Sequence, residues 1–173
     1  TAPKDPSLEH IDALGGKPFQ AFPGQDHRAH VTAHLNFMST NLVRNNPNVM
    51  AAIQKNILEH ISLMATEQVQ LEFREQMMQL QQLAQQAAVN PQAQQQMQEM
   101  TQGIEARKAV LVAEMTGDFM KEEKEITSQF DSDPLLKLKS REVDLKAMEA
   151  QRKQEESTAD QQLERAKLLQ AQQ

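Results

Sequence analysis

Apolar positions along the chain recur at helical spacing, and Asn-Pro or Asp-Pro steps separate the stripes they form. Val31, Leu35, Met38 and Leu42 step by four, three and four, which puts them on one face of a helix. Asp26 is its N-cap, since a carboxylate accepts from the free amides of the first turn. That helix is predicted to run to about Arg44. Asn46-Pro47 then caps and opens a second helix, with Val49, Ile53, Ile57, His60, Met64, Leu71 and Met78 on one broad face. No breaker lies between Asn48 and Val89, so this helix is predicted to run about 60 Å. The short connection makes the two helices an antiparallel pair.

The same device recurs at Asn90-Pro91 and at Asp133-Pro134. It predicts a third helix with a stripe of Ile104, Lys108, Leu111, Met115 and Phe119, kinked near Gly117-Asp118. A fourth helix starts a weak seam of Leu135, Leu138, Leu145 and Met148. The seam fades into the charged stretch from Gln151 to Gln173. Before all of these, Pro6 to Leu14 is a short helix stopped by Gly15-Gly16. Lys17 to Gly24 is a connector that Phe19 and Phe22 anchor to a neighbouring surface.

Four segments follow: 1–24, rich in proline and glycine; 25–90, a histidine-bearing hairpin; 91–131, a Gln/Met-rich helix; and 132–173, a charged C-terminal helix. The fold class is all-α, an antiparallel hairpin followed by long polar helices. The predicted form is extended rather than globular and is completed by neighbouring subunits. Composition supports this: aromatics are 3% of 173 residues and ten Met carry much of the apolar total, so few side chains can fill a deep core.

The absence of cysteine excludes thiol catalysis, disulfides and zinc-thiolate sites. Net charge is −6, which gives no basic signature for nucleic acid. No apolar run approaches the roughly 18 residues of a membrane-spanning helix. The glutamine run from Gln76 to Gln102 reads first as a solvated face and second as a neutral lining facing a lumen or copies of itself. Such a lining gives DNA no strong electrostatic hold.

His27, His30 and His34 share one helical face, and His30 and His34 have the i, i+4 spacing that lets two imidazoles reach one zinc ion. His60, with Glu59, sits on the partner helix as a further candidate ligand. Without an H-E-x-x-H context, the favoured reading is a set of helix-interface histidines with no cofactor. The predicted interface comprises Val31, Leu35, Met38, Leu42, Val49, Ile53, Ile57, His60 and Met64. No serine stands in a nucleophile motif and no glycine-rich phosphate loop occurs, so no catalytic residue is assigned and no enzyme is expected. A metal-dependent enzyme built on His27, His30, His34 and Glu59 or His60 is the contrasting class.

Gly24, Asp26, His27, Ala29, His30 and His34 spell G-x-D-H-x-A-H-x-x-x-H. Ile57, Glu59, His60 and Ala65 follow an H-I-x-E-H-x-x-x-x-A pattern whose first histidine is here Asn56. In both respects the chain resembles the C-terminal region of tailed-bacteriophage portal proteins, well over Leu14 to Leu71 and loosely over Asp133 to Lys146. The resemblance implies a virion protein at one capsid vertex, assembled in the host cytoplasm. It implies a homo-oligomeric ring, usually of twelve subunits, through which DNA is packaged and ejected. The implied partners are the major capsid protein, a tail adaptor and transient, non-specific double-stranded DNA, with no membrane. On this resemblance the chain corresponds to wing, crown and barrel-like helices, without the upstream stem and clip. The alternative is a helical scaffolding, internal virion or coiled-coil adaptor protein without a channel.

Overall fold

The computed structural model describes residues 2–172, and all regular structure among them is helical. The helices are α1 (Pro6–Leu14), α2 (His27–Met38), α3 (Asn41–Arg44), α4 (Pro47–Glu72), α5 (Arg74–Gln86), α6 (Pro91–Ser132) and α7 (Pro134–Ala171). Proline opens four of them behind an acidic or amide cap. Asp5, Asn46, Asn90 and Asp133 accept from the amides of Ser7, Val49, Gln92 and Leu135. A proline has no N–H to leave unpaired in the first turn, and the cap accepts from one that would be.

The core is a layer of three helices. His27 of α2 bonds Glu67 of α4 while His34 bonds Asn56, so these two helices run antiparallel. α6 runs with α2, as shown by the Thr32–Glu122 hydrogen bond at 3.0 Å and the Arg44–Asp131 pair at 3.4 Å. It runs against α4, where Arg107 grips Glu72 through two hydrogen bonds of 2.9 and 3.0 Å. This fork holds the Glu72 carboxyl down at about 2, with a smaller contribution from Gln68. α1 lies across α2, α4 and α7, and α7 also packs on α3 and α6. Val31, Leu35, Phe37, Met38, Val43, Val49, Ile53, Ile57, Ile61 and Phe119 form the main core. Ala65, Val69, Ile104 and Leu111 form a second cluster.

Several predicted features are corrected. The helix from Asp26 does not continue to Arg44 but stops at Ser39-Thr40. There the Ser39 hydroxyl donates to the Leu35 carbonyl at 3.0 Å and the Thr40 hydroxyl to Phe37 at 2.7 Å. Both hydroxyls compete with the backbone ladder, and Thr40 turns extended. The break rotates α3, so Val43 is buried and the predicted Leu42 only half-buried. The second helix is likewise interrupted at Phe73. Phe73, Met77 and Leu80 pack onto the second cluster, so tertiary packing places a bend where no breaker residue stands.

The lower stripe of α4 also differs from expectation. Ile61, Ala65 and Val69 are buried, Met64 is half-buried, and Leu71 and Met78 are 72% and 62% exposed. α4 packs on both α2 and α6. Its buried row therefore steps by four and drifts around the helix instead of holding the heptad-like course that led to Leu71 and Met78. α6 is one unbroken helix through Gly103 and Gly117. Packed residues on both sides, Leu111 and Phe119, outweigh the roughly 1 kcal/mol that a glycine costs a helix.

Burial predicts a contrast within α4. Ile53→Ala removes a fully buried side chain and should destabilise the fold by about 2–5 kcal/mol, whereas Leu71→Ala should stay within about 0.5 kcal/mol. Urea unfolding of the two variants measures this, and equal losses would place Leu71 in the core.

Candidate functional site

The hairpin of α2 and α4 brings the predicted histidines together, and α1 closes over them. His27, His30 and His34 occupy one face of α2 because residues three and four apart stack along a helix. Asp26 starts this helix by accepting from the Ala29 amide at 3.1 Å, which orients the first of the three. His60 faces them from α4. His34 and His60 are fully buried, and His27 and His30 nearly so. The rings lie close: His30 stacks on His60 with centroids 4.7 Å apart, and His27 tilts against His60 at 5.1 Å.

The other predicted residues divide. Val31, Leu35, Met38, Val49, Ile53 and Ile57 are buried in the main core around the histidines, Met64 packs at its edge, and Leu42 is half-buried outside it. Glu59 stays outside the cluster and accepts from the Ala21 amide at 3.3 Å, fastening the 17–24 connector to α4. Phe19 of that connector packs on the core as expected, its ring 6.5 Å from His34.

The carboxylate of the cluster comes instead from α1. Glu9 is 1% exposed and its Oε1 lies 2.9 Å from His30 Nδ1 and 3.5 Å from His34 Nε2. Next to it, His10 Nε2 lies 2.9 Å from His34 Nδ1, and its ring stacks on Phe37 at 4.0 Å. Asn56 Oδ1 lies 2.8 Å from His34 Nε2. Sequence reasoning missed Glu9, His10, Asn56 and Glu67 as members. Glu9 and His10 are separated from α2 by an aperiodic connector, so spacing could not register them. A polar Asn56 one turn before His60, on the buried face of α4, was a usable signal.

Part of the group is linked as one chain. Glu67 accepts from the Gly24 amide at 2.8 Å and from His27 Nε2 at 3.0 Å. These donors, Gly24 first, hold its carboxyl below the usual range, so it only accepts. His27 Nδ1 in turn lies 2.8 Å from His60 Nδ1. His60 is neutral, because burial and then the neighbouring His30, His27 and His34 push its pKa down to about 3. Its second nitrogen, Nε2, is buried with no hydrogen-bonding partner in the protein.

The assembled group can therefore do two things. It joins three helices through polar contacts, and it presents imidazole nitrogens and a carboxylate oxygen to one point. Set beside protein-family models, curated proteins and solved structures, the chain matches none.

The depressed values give a pH dependence of defined sign. Burial and then His34 lower His10 to about 3, as burial lowers His60, against an ordinary 6.5. Below pH 6.5 the unfolded chain takes up protons that the folded chain refuses. Stability from these groups is thus complete above about pH 6.5 and is lost as pH falls toward 3, by up to about 1.4 kcal/mol per pH unit for each histidine. Urea midpoints from pH 8 to 4 should be flat at first and then decline. A midpoint unchanged down to pH 5 would contradict the buried neutral rings.

Proposed function

We propose that this chain is a helical structural module of a portal-like ring at a bacteriophage capsid vertex, part of a conduit for DNA. The observation that carries the reading is the second half of α7. Gln151 still touches the body, donating to the Leu14 carbonyl at 3.1 Å, but every residue from Arg152 to Gln172 is exposed. That is about 30 Å of helix with no cover. An isolated helix of this length is marginal in water and gains its stability from packing. Leu163, Leu168 and Leu169 are exposed along it, and Leu135, Leu138, Leu145 and Met148 along the first half. Neighbouring copies of the chain supply the missing surface, and cyclic symmetry supplies every copy with the same neighbours.

The resemblance of the Gly24–His34 and Ile57–Ala65 segments to portal C-terminal regions distinguishes a ring from other assemblies. Charge suits a conduit as well. A net charge of −6 and the glutamine-rich faces of α5 and the start of α6 offer few phosphate-neutralising groups, so passing DNA would be held weakly. The histidine group fits as the element that keeps hairpin and α1 rigid while the exposed helices assemble.

Native mass spectrometry of the purified chain tests the reading. A closed assembly of about a dozen copies is expected, and Leu138→Glu with Leu145→Glu should reduce it to monomer without loss of helix by circular dichroism. An elongated dimer would favour the coiled-coil adaptor alternative. A monomer at high concentration, with α7 fully helical, would remove the need for neighbours and the proposal with it.

A further inference from the structure

We propose that Glu9, His30, His34 and His60 form a structural site for one divalent transition cation of the zinc class, which ties α1, α2 and α4 together. One donor atom from each of the four lies within 4.8 Å of all the others. Zinc bonds of about 2.0–2.1 Å put the donors of a tetrahedral centre about 3.4 Å apart. Glu9 Oε1 already lies 2.9 Å from His30 Nδ1 and 3.5 Å from His34 Nε2. Small side-chain movements close the rest.

The unpartnered Nε2 of His60 is the independent argument. It is buried and lacks a protein partner. A buried polar atom without a partner is costly in a native fold, and a cation is a partner that needs no proton. The chain behind His60 has the form found around metal-bound imidazoles. The outer nitrogen of His60 lies 2.8 Å from one nitrogen of His27, whose other nitrogen lies 3.0 Å from the Glu67 carboxylate. His34 has a corresponding outer partner in His10, at 2.9 Å.

Each imidazole would bind the cation through its inward nitrogen and keep its single proton on the outer one, Nε2 of His30 and Nδ1 of His34, where it faces His10 Nε2 at 2.9 Å. The Asn56 carbonyl, 2.8 Å from His34 Nε2, would then be released. Charge is met in two steps: Glu9 neutralises one unit of the cation directly, and Glu67 faces the other through two imidazoles.

The donor set selects the ion class. Three imidazole nitrogens and one carboxylate oxygen suit zinc and its neighbours. Calcium and magnesium need more oxygens, and copper(I) prefers the thiolates this chain lacks. Four protein ligands, all buried, leave no open position for substrate, which marks the site as structural. A groove lined by Lys4, Phe19, Phe22 and Lys55 also reaches Glu9.

The test uses the full chain, stripped with chelator and titrated with zinc and, separately, with cobalt(II). One zinc per chain is expected, with a rise in melting temperature and the strong visible absorption of four-coordinate cobalt. Glu9→Gln and His60→Gln should each lower zinc affinity by at least about 100-fold, more than the 10–100-fold expected for the outer variant Glu67→Ala. Glu59→Gln, which lies outside the cluster, should leave affinity unchanged. Sub-stoichiometric or weak binding, an unchanged melting temperature, or equal affinity in the folded Glu9→Gln and His60→Gln variants would overturn the site. If a ligand variant fails to fold, the cobalt spectrum and melting shift of the unsubstituted chain still decide.

Discussion

The requirement that buried polar groups be partnered governs the centre of this molecule. Four imidazoles and a carboxylate lie where an ordinary helical hairpin would place leucines. Each unpaired polar atom there would cost on the order of 1–3 kcal/mol. The fold meets this demand by convergence. α1 contributes Glu9 and His10, α2 three histidines, and α4 Asn56, His60 and Glu67. None of these helices satisfies its own buried groups, so the three depend on one another. The 17–24 connector is drawn in as well, through the amides of Ala21 and Gly24 on Glu59 and Glu67.

This dependence explains why a chain with so little aromatic core has a defined interior. Around the polar group the apolar residues form a thin shell, from Val31 and Leu35 to Ile53 and Ile57, with Phe119 of α6 closing one side. Arg28 lies 5.7 Å above the Phe119 ring, so even that aromatic is shared between α2 and α6. Farther from the histidines the interior thins to the Ala65, Val69, Ile104 and Leu111 cluster, and then to helices that are exposed on most faces.

The helices were legible in the sequence wherever local chemistry decides. Asn46-Pro47, Asn90-Pro91 and Asp133-Pro134 mark their starts, since cap and proline act within one turn. The breaks at Ser39-Thr40 and Phe73 were not legible. The first depends on hydroxyls that turn inward only when buried, and the second on where α5 meets α6. Half of the candidate site was readable, because His27, His30 and His34 share a face by spacing alone. Glu9 was not, since an aperiodic connector hides its distance from α2. The drift of the α4 stripe toward Ile61, Ala65 and Val69 belongs to the same class. It depends on which neighbour the helix crosses, which periodicity within one helix does not contain.

The contact between Gln151 and the Leu14 carbonyl has a mechanical meaning. α1 carries Glu9 near its start, and the residue that holds α7 lies at its end. Beyond Gln151, α7 extends as an arm of about 30 Å. A tilt of about 10° at that pivot sweeps the far end through about 5 Å, roughly one helical turn. α1 is therefore one of three supports, with α3 and α6, that aim the arm. A shift of α1 on the hairpin large enough to tilt α7 would reach the tip as a displacement that changes which turn of a neighbouring helix it meets.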